Sequence, residues 1–212
     1  MGDFSLFEAI NTQRSIRRFT SDPVSDEAIA RIIKAATRAP SRGNSQPWHF
    51  LVIRDTEMKS RIGEYHWKST VKGRQVDPSP GRFSSPLYNA SDYIVQHMDE
   101  VPVIILLCVD TSTIVPLKGA AAKAPFTGGA SIYPAMQNLL LAARGLGLGT
   151  GPTTLYSQGE EKIKELLSIP ATVEVAALIL VGYPGNGQHF GGSRRKPVNE
   201  VTHYERWGQQ EQ

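Results

Sequence analysis

The sequence predicts an α+β fold, a sheet with helices packed on its faces, and three observations predict it. Apolar residues recur at helical spacing in four segments. Three runs rich in Val, Ile and Leu are bounded by Pro, Asp or Gly. The two kinds of segment follow one another in mixed order, with no repeat of about 20 to 50 residues. A chain of 212 residues can bury roughly 70% of the surface its unfolded form exposes, so residues 1–212 are read as one domain with one core.

Each element follows from its residues. A short helix is expected over Leu6 to Thr12, with Phe7 and Ile10 on one stripe. The next opens at Ser25, a capping residue, and Asp26 and Glu27 suit its positive end. Ile29, Ile32, Ile33 and Ala36 recur at i, i+3, i+4, i+7, and Pro40 ends it. A more apolar helix spans Ser131 to Arg144, with Ile132, Met136, Leu139, Leu140 and Ala143 on one face, and another spans Glu160 to Leu167. Strands are expected over Trp48 to Arg54, Val101 to Val109 and Val173 to Tyr183. The segments Val76 to Ala90 and Pro116 to Gly129 lack periodicity and read as excursions, or lids, of the same domain.

Composition narrows the function classes. The chain is 40% hydrophobic and 20% charged, inside the globular range. Twenty-three basic against 20 acidic residues leave +3, too small an excess to suggest nucleic acid without a groove-reading motif. The single cysteine, Cys108, cannot form an internal disulfide, which favours a cytoplasmic address. Met1 to Ile10 has neither a basic n-region nor an apolar h-region, so no signal peptide is expected. The apolar runs Val101 to Val109 and Val175 to Val181 are far shorter than the ~20 residues of a membrane span. Five histidines without HExxH or i, i+4 pairing argue against a metal site.

Several motifs carry alternatives. Gly145 to Gly151 (GLGLGTG) superficially matches a phosphate loop, but it follows a helix where a dinucleotide fingerprint follows a strand. It reads as a cap and loop, with Gly145 as the left-handed residue and the free amides of Gly149 to Leu155 available to a ligand. Gly43-Asn44-Ser45-Gln46-Pro47 lacks one glycine of a nucleophile elbow, which argues against a serine hydrolase. The clusters Arg14-Ser15-Ile16-Arg17-Arg18 and Arg194-Arg195-Lys196 either clamp a phosphorylated ligand from both chain ends or form solvated basic faces. In Ala39 to Phe50, Asn44 and Gln46 can read the polar edge of a flat heterocycle, and Ser41 and Arg42 suit a phosphate or hydroxyl; the plain alternative is a polar helix-to-strand turn.

Together these residues resemble the FMN-dependent nitroreductase family. The resemblance lies in the order of RSIRRF (14–19), APSRGNSQPWHF (39–50), GLGLGTGP (145–152), VEVAALILVGYP (173–184) and RRKPVNEVTHY (194–204), and it spans nearly the whole chain; only the stretch His66 to His97 matches no family pattern. It implies a nitroreductase-like sandwich, a mostly antiparallel sheet flanked by helices, in an intertwined homodimer with FMN at the interface. By the same resemblance Arg14 and Ser15 meet the phosphate and ribityl end and Arg17 the N1 and O2 side of the ring, while Arg194 and Arg195 complete the phosphate clamp. Pro40, Ser41, Arg42, Asn44 and Gln46 reach the cofactor from the partner subunit. Pro152, Thr153 and Thr154 lie over the flavin, the Thr154 backbone amide facing N5; many relatives carry an acidic residue and a glycine where this chain has Thr154 and Leu155.

The implied activity is reduction of nitroaromatics, quinones or similar electron-poor compounds by NADPH or NADH in a ping-pong cycle. FMN carries the chemistry, so the lack of a catalytic dyad is expected. Two other readings stand beside it: a same-fold flavoenzyme with different chemistry, reductive dehalogenation or flavin fragmentation, and a non-catalytic flavin-binding protein.

Overall fold

The computed structural model describes residues 4–76, 86–113, 129–154 and 157–209. Its elements are α1 (Leu6–Thr12), α2 (Asp26–Ala36), β1 (Trp48–Ile53), α3 (Thr56–Val76), α4 (Pro86–Gln96), β2 (Val103–Asp110), α5 (Tyr133–Gly145), β3 (Gly149–Thr153), α6 (Ser157–Leu166), β4 (Val173–Gly182) and α7 (Val198–Val201). The four strands form an antiparallel sheet in the order β1-β2-β4-β3. The α+β class follows.

The central strand β2 sorts the core. Its side chains alternate across the sheet. Val103, Ile105, Leu107 and Val109 face a layer holding Ile29, Ile32 and Ala36 of α2 and Leu139, Leu140 and Ala143 of α5. Ile104, Leu106 and Cys108 face the other way, toward Ile62 of α3, Ile94 and Val95 of α4 and Ile163 of α6. With both faces covered, the strand reads as an unbroken apolar run. A register shift at Leu107/Cys108 sets Leu107 opposite Ala177 but Cys108 opposite Val175, so β4 bulges there. Burial pushes the Cys108 thiol up to about 11, where it stays protonated and inert.

Local signals explain most of the ends. Ser5 and Ser25 cap α1 and α2 by accepting from the amides of Glu8 and Ala28. The last helical residue of α2 is Ala36, and Pro40 follows the turn beyond it. Pro134 sits in the first turn of α5, where its missing N–H costs nothing.

Four sequence expectations need correction. Gly145 continues α5, and the left-handed residue is Gly147, at φ 76°, after the C-cap Leu146. Gly149 to Thr153 is an edge strand of the sheet, not a loop. Of the excursion Val76 to Ala90, residues 86–90 open α4, and 77–85 lie outside the described residues. The helix α3, unforeseen, fills residues 56–76, capped where Asp55 Oδ1 accepts from the Met58 amide at 2.8 Å. The excursion at 116–129 falls outside the described residues except for Gly129. Among the described residues, no helix is long and apolar enough to cross a membrane.

Candidate functional site

The site is built on the free edge of β3. Ser15 forms a parallel bridge with Thr150, and the Ile16 amide donates to the Thr150 carbonyl at 2.8 Å. The Ile16 side chain is driven into the core, 1% exposed, over β3. This approach requires glycine at two places. A β-carbon at Gly149 would lie 2.8 Å from the Ile16 side chain, and one at Gly151 would lie 2.5 Å from the Ile16 carbonyl oxygen. Gly149 and Gly151 therefore make room for the side chain and backbone of Ile16, the close-approach use of glycine in a strand.

With Ile16 pinned, Arg14, Ser15 and Arg17 become half-buried side chains along one edge. The loop after β4 runs beside them. Thr20 donates to the Tyr183 carbonyl, Gly185 to that of Arg18, and Gly191 to that of Thr12. The Arg17 amide donates to Gln188 Oε1 at 3.0 Å. Arg14 Nη1 donates to the Gly191 carbonyl at 2.9 Å and lies 3.0 Å from His189 Nε2. Arg144 holds the whole arrangement from below: its guanidinium stacks between the rings of Phe4 and Phe190, 4.3 and 4.0 Å from their centroids, and its Nε donates to Thr12 Oγ1.

Arg14 and Arg17 carry charge that no acid answers among the described residues. Among the described residues no carboxylate pairs with either. Burial, and after it the charge of Arg14, pull the Arg17 pKa below the ordinary arginine value. Arg17 lies between two openings. One, of about 30 Å³, is lined by Gly151, Pro152, Thr153 and Leu180 with Ser91, Ile94 and Val95 of α4. The other, of about 310 Å³, is lined by Arg18, Asn89, Ala90, Tyr93 and Gln188. The structure thus brings Arg14, Ser15 and Arg17 together with Pro152 and Thr153, and Thr154 follows, exposed. Arg194 and Arg195 are exposed, downstream of the Gly191 that Arg14 holds; Arg195 Nη1 donates to the Arg194 carbonyl, and no contact joins either to Arg14.

Pro40, Ser41, Arg42, Asn44 and Gln46 lie elsewhere. They form a tight turn before β1, in which Gly43, Asn44 and Gln46 take left-handed φ values of 59°, 55° and 46°. Within it Asn44 N donates to the Ser41 carbonyl and Ser45 N to that of Arg42, and two side chains brace it, Arg42 N donating to Ser131 Oγ and Gln46 N to Ser41 Oγ, each 3.1 Å. A left-handed glutamine is uncommon backbone and indicates a turn over-determined by its surroundings. The strand that follows starts at Trp48, opposite Val109 and, across β2, Glu174, whereas Thr150 stands opposite Val181. Seven residues along β4 and four lateral steps separate this turn from Ser15, about 30 Å on the diagonal of a sheet with ~3.4 Å rise and ~4.8 Å strand spacing. One compact ligand cannot touch both within a single chain.

Residues that sequence reasoning passed over also reach the site. His66 Nε2 lies 3.2 Å from Thr153 Oγ1. Gln188 and His189 hold Arg17 and Arg14, and Tyr93 of α4 lies under the Arg18 guanidinium at 4.0 Å. A signal for α3 existed. Lys59, Ile62, Gly63, His66, Ser69 and Thr70 are buried at helical spacing, but most are polar and escape a search for apolar periodicity.

Comparison with known proteins identifies the family. The nitroreductase family profile matches residues 10–183. A protein of Archaeoglobus fulgidus, provisionally named an NADH dehydrogenase/NAD(P)H nitroreductase, is 33% identical over 201 residues, covering 93% of this chain and 96% of its own. Rat iodotyrosine deiodinase 1 is 29% identical over 197 residues, 92% of this chain and 68% of its own. A protein from Desulfovibrio desulfuricans, provisionally named a nitroreductase and solved in complex with FMN, superposes with a TM-score of 0.64 at 28% identity, over 94% of this chain and 95% of its own. The chain belongs to the nitroreductase family and is an oxidoreductase of that family.

The close approach at β3 gives a direct test. Gly151→Ala places a methyl group against the Ile16 carbonyl, and overpacking of this kind costs about 1–3 kcal/mol. Thermal unfolding should fall accordingly, and hydrogen exchange should show the Ile16 amide released first. An Ile16 amide as protected as in the parent protein would mean the glycine is not what seats the segment.

Proposed function

We propose that this chain is an NAD(P)H-dependent FMN oxidoreductase that reduces nitroaromatics, quinones or related electron-poor compounds in a ping-pong cycle. We read it as a single domain over residues 1–212, working as a cytoplasmic homodimer. The observation that carries the reading is the charge of Arg14 and Arg17 beside the β3 edge, which no carboxylate among the described residues answers. Two guanidiniums, a serine hydroxyl and the amides of a glycine-rich strand end suit a ligand that bears a phosphate and a ring able to take negative charge. FMN fits that donor set. The FMN complex of the Desulfovibrio relative and the name of the archaeal one support the cofactor and the nicotinamide donor.

When bound, FMN supplies hydride acceptance from NADPH or NADH and hydride donation to the electron-poor substrate, in alternation. The residues bind and tune. Arg14 and Ser15 hold the phosphate and ribityl end, and Arg194 and Arg195 close on the phosphate. Arg17, partly desolvated and therefore a stronger electrostatic partner than a surface arginine, stabilises negative charge on the N1 and O2 side of the ring. Pro152, Thr153 and Thr154 border the ring, the Thr154 amide donating near N5. Pro40, Ser41, Arg42, Asn44 and Gln46 serve the cofactor of a second copy, a role that the 30 Å diagonal, estimated from strand spacing, supports. No side-chain acid or base is called on.

A second reading has a specific observation behind it. Deiodinase relatives align over 92% of the chain, so reductive dehalogenation of an iodophenol is the alternative chemistry on the same site. Iodide release from iodotyrosine, set against reduction of a nitroaromatic, separates the two.

Purified protein is expected to be yellow and to release FMN on denaturation. Arg17→Ala should lower the flavin potential by some tens of millivolts, because charge-assisted hydrogen bonds are worth about 1.5–3 kcal/mol and ~30 mV corresponds to ~1.4 kcal/mol for a two-electron couple. Arg195→Ala should weaken FMN retention and leave the potential nearly unchanged. Redox titration of both under saturating FMN is the check, and the opposite pattern would show the roles are misassigned.

Light scattering of the flavin-loaded protein should give about twice the 23.3 kDa chain mass. A stable flavin-loaded monomer would contradict the shared site.

A further inference from the structure

Three contacts tie α3 to the end of β3. His66 Nδ1 lies 3.1 Å from Thr70 Oγ1, His66 Nε2 lies 3.2 Å from Thr153 Oγ1, and Thr70 Oγ1 lies 2.9 Å from the His66 carbonyl oxygen. A carbonyl cannot donate, so the one Thr70 hydroxyl proton goes to it, and Thr70 Oγ1 is left to accept from Nδ1–H. On a neutral ring Nε2 is then bare and accepts from the Thr153 hydroxyl. No other arrangement of a neutral imidazole makes all three contacts hydrogen bonds. A doubly protonated ring would also fit the distances, with Thr153 reversed, but burial pulls the His66 pKa below its ordinary value and keeps the ring neutral.

We propose that His66 is a positioning residue that turns the Thr153 hydroxyl proton back toward α3 and so presents Thr153 Oγ1 to the Arg17 crevice as an acceptor only. Thr153 and Arg17 line that crevice together. Its walls are therefore polarised: guanidinium donors on one side, a fixed acceptor on the other. The ligand ring it suits carries an N–H as well as an atom that takes negative charge. Resting on the flavin reading above, this deepens it. Reduced FMN bears a hydrogen on a ring nitrogen that is bare in oxidised FMN, so a fixed acceptor favours the reduced cofactor, whereas a hydroxyl free to rotate would serve both forms alike.

The chain Thr70–His66–Thr153 also accounts for a helix whose buried face is polar. Ser69 donates to the same His66 carbonyl, at 2.9 Å. Ser69 and Thr70 are satisfied within α3, and the chain of contacts ends on Thr153, a residue of β3 that meets the crevice.

The test has two arms. In flavin-free protein, nitrogen NMR of the His66 ring at neutral pH should show the Nδ1–H tautomer; an Nε2–H tautomer or an imidazolium overturns the assignment. In flavin-loaded protein, affinities for oxidised and reduced FMN are compared. His66→Leu should weaken reduced FMN about tenfold relative to oxidised, equivalent to ~30 mV, while His66→Gln, which keeps an acceptor, should restore most of the ratio. In a Thr153→Val background His66→Leu should have no further effect. Independent, additive shifts would mean His66 acts on the fold at large, and the proposal falls. Should His66→Leu not fold, Thr153→Val alone must show the shift. A parent protein that takes up no FMN would sink the proposed function, and the tautomer would still decide the role of His66.

Discussion

Two missing β-carbons on β3 let the backbone of residues 14–17 lie against the edge of the sheet, and the rest of the candidate site follows from that approach. Once Ile16 is seated, the residues on either side are committed: Ser15 to the Thr150 bridge, Arg14 to the loop at Gly191, Arg17 to a half-buried place beside Thr153. The cost is two like charges in a half-buried place with no carboxylate partner among the described residues. The protein offsets it with packing and neutral partners, among them His189, Gln188 and the Gly191 carbonyl. A carboxylate would have been a stronger offset, but it would also have occupied the position a ligand's anion needs.

The parts of the fold that were legible are those whose burial is apolar. The α2 stripe of Ile29, Ile32 and Ala36 announces both period and facing direction, and β2 announces burial on both faces. The parts that were not legible bury something else. β3 is glycine, threonine and proline, with no apolar alternation, because its outer side is filled by Ile16 from a segment about 130 residues away. α3 is hidden for the complementary reason: its inward positions include Lys59, His66, Ser69 and Thr70. Lys59 donates to the Val101 carbonyl at 2.5 Å, which is how a buried ammonium is tolerated.

The site divides the same way. Arg14, Ser15 and Arg17 were visible as a cluster, and their likeness to a family motif gave them roles; the sheet geometry then supplied their neighbours. Pro40 to Gln46 were visible too, but their place at the opposite corner of the sheet depends on strand order, which no local pattern encodes. His66 could be found only by asking what a lone histidine at helical spacing touches across 87 residues of chain.

The clasp at Arg144 has a consequence for how the protein responds to ionic strength. A guanidinium over the rings of Phe4 and Phe190 is bound mainly by ring faces and a threonine hydroxyl, and only the exposed carboxylate of Glu8 adds a counter-charge that salt can screen. The repulsion between Arg14 and Arg17, by contrast, is an interaction of two like charges, which dissolved ions weaken and their anions can relieve directly. Rising salt therefore costs the clasp only its Glu8 attraction, leaves the ring contacts in place, and eases the repulsion beside it: a concentrated electrolyte relieves the same edge that an anionic ligand would.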